Sequence, residues 1–361
     1  MPRRLKGSMS LLNNEEMEKR NSSFEMLRII CMLMIIGGHV IMKHHTEFDL
    51  HSTDYSISLF FRGAFAVAVN AFVLISGYFG IKFKWQRLIR LDIQTLFYSI
   101  ALLIVSVSLG WHAINPQKDF LLLFPVLSKQ YWFITCYVIL YIISPLLNRW
   151  GASLNKKEYR SLLIVGCTII YVWPTLSYLV NAPQFIGDAG YGIINFMYLY
   201  MLGYYLRCHY DDIYSVRYYW GGYFAMVTLL FIAQYGLSYI LGFEFTSWIS
   251  YNSLFVFGGA IFIFLSFKNL TFQSSFVNNL ARPCLAVYLI HLHPCVWSAF
   301  CESINLNTFH GILYFALIFA IPVVVYLVCI LVESCRLKLF CRLEEKVAVN
   351  VVNYFSYSKY E

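Results

Sequence analysis

Charged residues are scarce in this chain of 361 residues: 13% are Asp, Glu, Lys or Arg, while 59% are hydrophobic and 19% aromatic. A soluble domain carries roughly a quarter charged residues, so a water-soluble globule is excluded. At about 20 residues per membrane crossing, ten crossings occupy roughly 200 residues and leave only short loops and two tails, with no room for a second, soluble domain. CxxC pairs are missing too. The ten cysteines mostly sit inside apolar runs, where free Cys behaves as a small hydrophobe, so neither a disulfide framework nor a zinc site is expected. There is no GxSxG elbow, Walker loop, dinucleotide fingerprint or HExxH to announce another catalytic class. Internal repeats and low-complexity segments are also lacking, which weakens a transporter built on inverted repeats.

What the sequence does have is apolar runs, at approximately 26–42, 59–80, 93–111, 131–148, 162–180, 191–206, 218–240, 250–267, 283–300 and 310–333. They predict an all-α, polytopic membrane helix bundle of about ten transmembrane helices, with run 191–206 the least secure. Residues 1–23 read as a cytoplasmic tail, 24–333 as the transmembrane domain and 334–361 as a second cytoplasmic tail. No small-residue cleavage site follows the first apolar run, so a membrane helix is expected there and not a signal peptide. Lys and Arg sort by side. The two tails and the even-numbered connections hold 22 of the 27, the odd-numbered connections hold Lys43, Lys118 and Lys129, and Arg28 and Arg62 lie inside helices. Positive loops stay on the cytoplasmic side, so both termini are placed there, and the net charge of +8 needs no nucleic-acid partner.

The first helix, FEMLRIICMLMIIGGHV, carries Glu25, Arg28 and His39 in an otherwise apolar span. Ionisable groups at depth are costly and usually face a protein interior or a wet cavity. Arg28 and His39 are eleven residues apart, which at about 100° and 1.5 Å per residue puts them on one face, about 16 Å from each other. Glu25, three residues before Arg28, can pair with the guanidinium and hold its pose. The plainer alternative is an interfacial ion pair and a hydrogen-bonded core histidine.

An Arg, ten residues and a His in the first helix resembles the membrane-bound acyltransferase-3 family. Further blocks follow in that family's order: VNAFVLISGYFG (69–80), KFKWQRLIRLDIQTLFYS (82–99), QYWFITCYVILYIISPLLN (130–148) and RPCLAVYLIHLHP (282–294). The resemblance runs over about residues 21–330. It implies transfer of an acyl group, usually acetyl, from a cytoplasmic acyl-CoA to an extracytoplasmic glycan or related acceptor. The implied protein is an integral O-acetyltransferase of a bacterial plasma membrane, modifying a cell-surface polysaccharide or its lipid-linked precursor. Acetyl-CoA or another acyl-CoA is then the donor, with no permanently bound cofactor, and succinyl transfer to the same acceptor class is the alternative.

The residues fit such a reaction as follows. His39 is the expected general base, since burial disfavours the charged imidazole and leaves it able to accept a proton, with Arg28 and Glu25 as its catalytic companions. Arg28, Arg87 and Arg90 are expected to bind the donor phosphates, Arg87 and Arg90 sharing a helical face at i,i+3. For Lys82 and Lys84 the ordinary positive-inside signal is the better account. Trp132 is a sugar-stacking candidate or an aromatic-belt residue, and Arg62 binds the acceptor or snorkels to headgroups. Ser76, Gly77 and Tyr78 read first as small-residue packing. Cys284, Tyr288 and His291 share a face of the ninth helix and are expected to line the cavity of His39, with Tyr288 a candidate oxyanion stabiliser. Cys284 stands where the family more often has Ser or Thr, which puts a hydroxyl role there in doubt. No metal is expected: His291 and His293 point about 200° apart on a helix, and His44, His45 and His51 have no accompanying Cys or paired carboxylate. A polytopic transporter of a small anion or glycan precursor, and a non-catalytic scaffold, are the rival classes.

Overall fold

In lipid every backbone N–H and C=O must be paired within its own segment, so the long apolar runs of this chain have helix as their outcome. The computed structural model describes residues 21–44, 49–304 and 306–357, and these contain helices and loops with no strand among them. Arg3, Arg4, Lys6, Lys19, Arg20 and Lys359 of the charge count, and His45 of the outer histidines, lie outside the described residues.

The helices are α1 (Ser22–His44), α2 (Thr53–Phe79), α3 (Trp85–Ser108), the short α4 (Pro116–Leu121), α5 (Trp132–Ser153), α6 (Lys156–Cys167) and α7 (Trp173–Val180). They continue with α8 (Ile193–Cys208), α9 (Val216–Leu241), α10 (Leu254–Lys268), α11 (Ser275–Ala281), α12 (Cys284–His291), α13 (Pro294–Ser303) and α14 (Gly311–Tyr357). Helices α6 and α7 are one span joined by a π-turn at Thr168–Val172, where Pro174 removes an N–H from the ladder. The start of α6 is a reciprocal cap: Asn155 Oδ1 accepts from the Glu158 N–H at 3.0 Å, and Glu158 Oε2 accepts from the Asn155 N–H at 3.0 Å.

Among the described residues eight helical stretches are long and apolar enough to cross a membrane, and nine if α11–α13, bent by 81°, counts as one. The sequence-based count of about ten is therefore refined at two places. Run 191–206 becomes α8, whose 16 residues reach about 24 Å, short of a ~30 Å hydrocarbon core. Run 283–300 is broken because Pro294 opens α13 and drives the residue before it out of helix: His293 has φ −62° and ψ 125°.

Burial sorts the spans into centre and periphery. More than half of the most apolar window is buried in α1 (56%), α2 (61%) and the stretch leading into α10 (56%), against 17% in α3. Large apolar side chains such as Ile104, Leu127, Ile312 and Leu331 face outward, as a lipid-exposed surface requires. Helix α8 packs on α2 by direct backbone contact. A Cβ built on Gly77 would lie 2.1 Å from the Tyr200 carbonyl oxygen, and one on Gly203 would lie 2.4 Å from that of Leu74. The expected small-residue packing of the Ser76–Gly77–Tyr78 segment is this contact.

Helix α14 is one element of 47 residues, about 70 Å long, so it extends well past a single bilayer crossing and takes in most of the stretch read as a C-terminal tail. Its first turn is fixed to α2: Asp54 Oδ1 accepts from the Gly311 N–H at 2.9 Å, Asp54 Oδ2 pairs with His310 Nδ1 at 2.8 Å, and Ser58 meets the Tyr314 hydroxyl at 2.6 Å.

Candidate active site

Arg28, Met32, Ile35 and His39 recur at i, i+4, i+7 and i+11, one stripe of α1, and this stripe forms one wall of a cavity of about 350 Å³. Residues of α2, α5 and α12 complete it, with Leu91 of α3 and Tyr251 from the loop before α10. Most of the lining is apolar. Its polar groups are Arg28, His39, Ser76, Trp132, Tyr137, Tyr251, Cys284 and Tyr288, a composition usual for sites that orient a small substrate through a few convergent groups.

Glu25, in the first turn of α1, is buried and ion-paired with Arg28, whose side chain keeps 31% of its surface exposed. The carboxylate holds the guanidinium at the cavity while leaving N–H groups available to a second anion. At the other end, His39 Nδ1 lies 3.4 Å from His291 Nε2, and His291 Nδ1 lies 2.7 Å from the Val287 carbonyl oxygen. His291 is the last residue of α12, so the break imposed by Pro294 sets its ring beside α1. His291 stands behind His39 and does not itself line the cavity. Tyr131 O–H donates to the Leu289 carbonyl at 3.1 Å and Tyr326 O–H to that of Leu280 at 2.8 Å, tying α5 and α14 to the α11–α12 segment. His293 turns elsewhere, its Nε2 3.0 Å from the Ser99 carbonyl oxygen.

Cys284 and Tyr288 both line the cavity. The Cys284 sulfur lies 3.2 Å from the Tyr326 hydroxyl, whereas the Tyr288 hydroxyl is buried without a hydrogen-bond partner. Trp132 also lines the cavity and packs in a trio with Tyr191 and Tyr251, its ring stacked on Tyr251 at 5.7 Å and tilted to Tyr191 at 4.7 Å. Arg62 does not line this cavity, and its Nη1 is paired with Glu244 at 2.9 Å.

Arg87 and Arg90 are exposed near the start of α3 and are not brought into the cavity of Arg28. Arg90 instead lines a second, polar cavity of about 570 Å³ with Gln94, Arg282, Arg336, Glu333, Glu344 and Glu345. Leu91 of α3 and Cys284 of α12 border the first cavity close in sequence to Arg90 and Arg282 of the second. Within the second cavity Arg336 is buried against Glu333 and Glu344, the Tyr98 hydroxyl donates to Glu333 at 2.5 Å, and Arg90 Nη2 pairs with Glu345 Oε1 at 2.9 Å. Sequence reasoning passed over Tyr137, Tyr251 and these C-terminal glutamates. Pro294 and the bend it imposes carried the one local signal, in the segment IHLHP (290–294).

Residues 21–331 match a family profile described as an acyltransferase domain. Neither curated proteins nor solved structures gave a significant match.

Proposed function

Because the chain belongs to the acyltransferase-3 family and carries the apolar helices of a multi-pass membrane protein, we propose that this membrane acyltransferase is an O-acetyltransferase. Its donor is cytoplasmic acetyl-CoA, and its acceptor is a hydroxyl of a bacterial cell-surface polysaccharide or its lipid-linked precursor. The observation that carries the reading is that Arg28 and His39 lie on one stripe of α1 and line one cavity, a cation at one end and an imidazole about 16 Å away. Both termini are cytoplasmic in this reading, so Arg28 is at the inner mouth, where the donor's phosphates meet Arg28, Arg87 and Arg90. The thioester then lies along the apolar stretch between Arg28 and His39.

His39 takes the proton of the acceptor hydroxyl as the oxygen attacks the thioester carbonyl carbon. A C–O bond forms and the carbonyl electron pair moves to oxygen. Tyr288 lines the cavity and its buried hydroxyl has no hydrogen-bond partner, which supports it as the donor to that oxyanion. Collapse expels the CoA sulfur, which takes the proton from His39, and leaves the ester. The Trp132–Tyr191–Tyr251 trio offers aromatic surface to a sugar ring on the acceptor side. Succinyl or another acyl group on the same acceptor class leaves these roles unchanged.

Purified protein in proteoliposomes given acetyl-labelled CoA inside and a surface-glycan acceptor outside tests the proposal. Covalent label on the acceptor is expected. Uptake or release of intact solute with no labelled ester would replace the transferase by a transporter.

A further inference from the structure

Two contacts, one short and one long, bear on where the protons of the His39–His291 pair reside. A carbonyl oxygen only accepts, so at 2.7 Å from the Val287 oxygen His291 Nδ1 must carry hydrogen. A neutral imidazole has one N–H, so His291 Nε2 is bare and can only accept. It faces His39 Nδ1 at 3.4 Å, a long contact that becomes a hydrogen bond only in the tautomer with the His39 hydrogen on Nδ1 and Nε2 bare. The two rings sit 5.6 Å apart and both meet the edge or face of Trp297, at 6.0 Å from His39 and 6.3 Å from His291, which limits their rotation. His291 is 3% exposed and ends α12, so its ring is held by the helix break as well as by the carbonyl.

We infer that His291 is a positioning residue that holds His39 in its Nδ1–H tautomer, so that Nε2 is the nitrogen presented to the acceptor hydroxyl. The inference rests on His39 being the general base. Many base histidines are oriented by a carboxylate. Inside an apolar bundle a lone carboxylate would need its own counter-charge, whereas a neutral imidazole anchored on a helix carbonyl orients its partner without adding one. When Nε2 takes the acceptor proton, the Nδ1–H contact to His291 becomes charge-assisted and shortens, so the orienting group also stabilises the cation formed in the reaction.

Nitrogen-15 NMR of histidine-labelled, full-length protein in lipid nanodiscs reads the tautomer directly, with the His39 signals assigned by their loss in His39→Gln. Wild type is expected to show His39 protonated at Nδ1 and bare at Nε2, and His291→Phe is expected to lose that preference. In acetyl transfer, His291→Phe should lower kcat about 10²-fold with KM for donor and acceptor within about twofold, as for a base in the wrong tautomer. His291→Gln places an acceptor at the reach of Nε2 and should recover at least about tenfold of that loss. A wild-type His39 protonated at Nε2, equal impairment in the Phe and Gln variants, or an effect confined to KM would overturn the inference. If His291→Phe does not fold, the wild-type and His291→Gln spectra still decide. Full activity in His39→Ala would instead sink the general-base reading, whatever the tautomer.

Discussion

Arg90 Nη2 lies 2.9 Å from Glu345 Oε1, joining the start of α3 to a part of α14 beyond the matched acyltransferase domain. A carboxylate thus occupies one of the arginines assigned to the donor phosphates. Both side chains are about half exposed, at 48% and 45%, so the pair contributes no more than about 1 kcal/mol, and a polyphosphate can displace it. Glu345→Gln is expected to lower the donor KM about two- to fivefold and leave the acceptor KM unchanged. Arg90→Gln should raise the donor KM. Initial rates at varied acetyl-CoA and varied acceptor separate the two constants.

His39→Ala is expected to reduce acceptor acetylation at least about 10²-fold, because proton removal from the hydroxyl loses its base. Donor binding, measured with a non-hydrolysable acetyl-CoA analogue, should stay within about twofold of wild type, since Arg28 sits at the opposite end of the cavity about 16 Å away. Equal loss of both would indicate a folding defect.

Removing a buried hydroxyl with no partner costs no hydrogen bond, so Tyr288→Phe should leave the melting temperature unchanged or raise it slightly. If that hydroxyl meets the oxyanion, kcat falls about 10- to 10²-fold in the same variant. Unchanged turnover would remove Tyr288 from the chemistry.

The contact of α2 with α8 leaves no space for a methyl group at Gly77, 2.1 Å from a backbone oxygen that cannot swing aside. Gly77→Ala should cost at least about 1–3 kcal/mol, read as a lower melting temperature in detergent. Gly221→Ala is the control, with no atom within 4 Å of the added carbon, and a helical alanine there should be neutral or stabilising. Equal melting temperatures for the two variants would contradict the packing.

The parts of this architecture written in local periodicity were readable in advance. The stripe Arg28, Met32, Ile35, His39 follows from 3.6 residues per turn, and the cavity lies along it. The adjoining place of Cys284 and Tyr288 follows from i,i+4 spacing on α12. Hydropathy alone could not divide run 283–300, because Leu292 and Val296 keep it apolar on either side of Pro294. Nor does hydropathy show that the apolar residues of the 16-residue α8 face protein: Phe196, Leu199 and Tyr200 are fully buried. Contacts distant in sequence left no local trace. Nothing near Arg62 announces Glu244, and nothing near Arg90 announces Glu345, 255 residues away.

The length of α14 links these observations. Asp54 anchors its first turn to α2, while Glu344 and Glu345 sit far down the same rod, beside Arg336 and Arg90. The same helix is also held along its middle, where the Tyr326 hydroxyl donates to the Leu280 carbonyl and Glu333 accepts from Tyr98 of α3. Its far part thus carries the carboxylates that meet Arg336 and Arg90, so truncation after residue 331 would strip Arg90 of its acidic partner while sparing the matched acyltransferase segment.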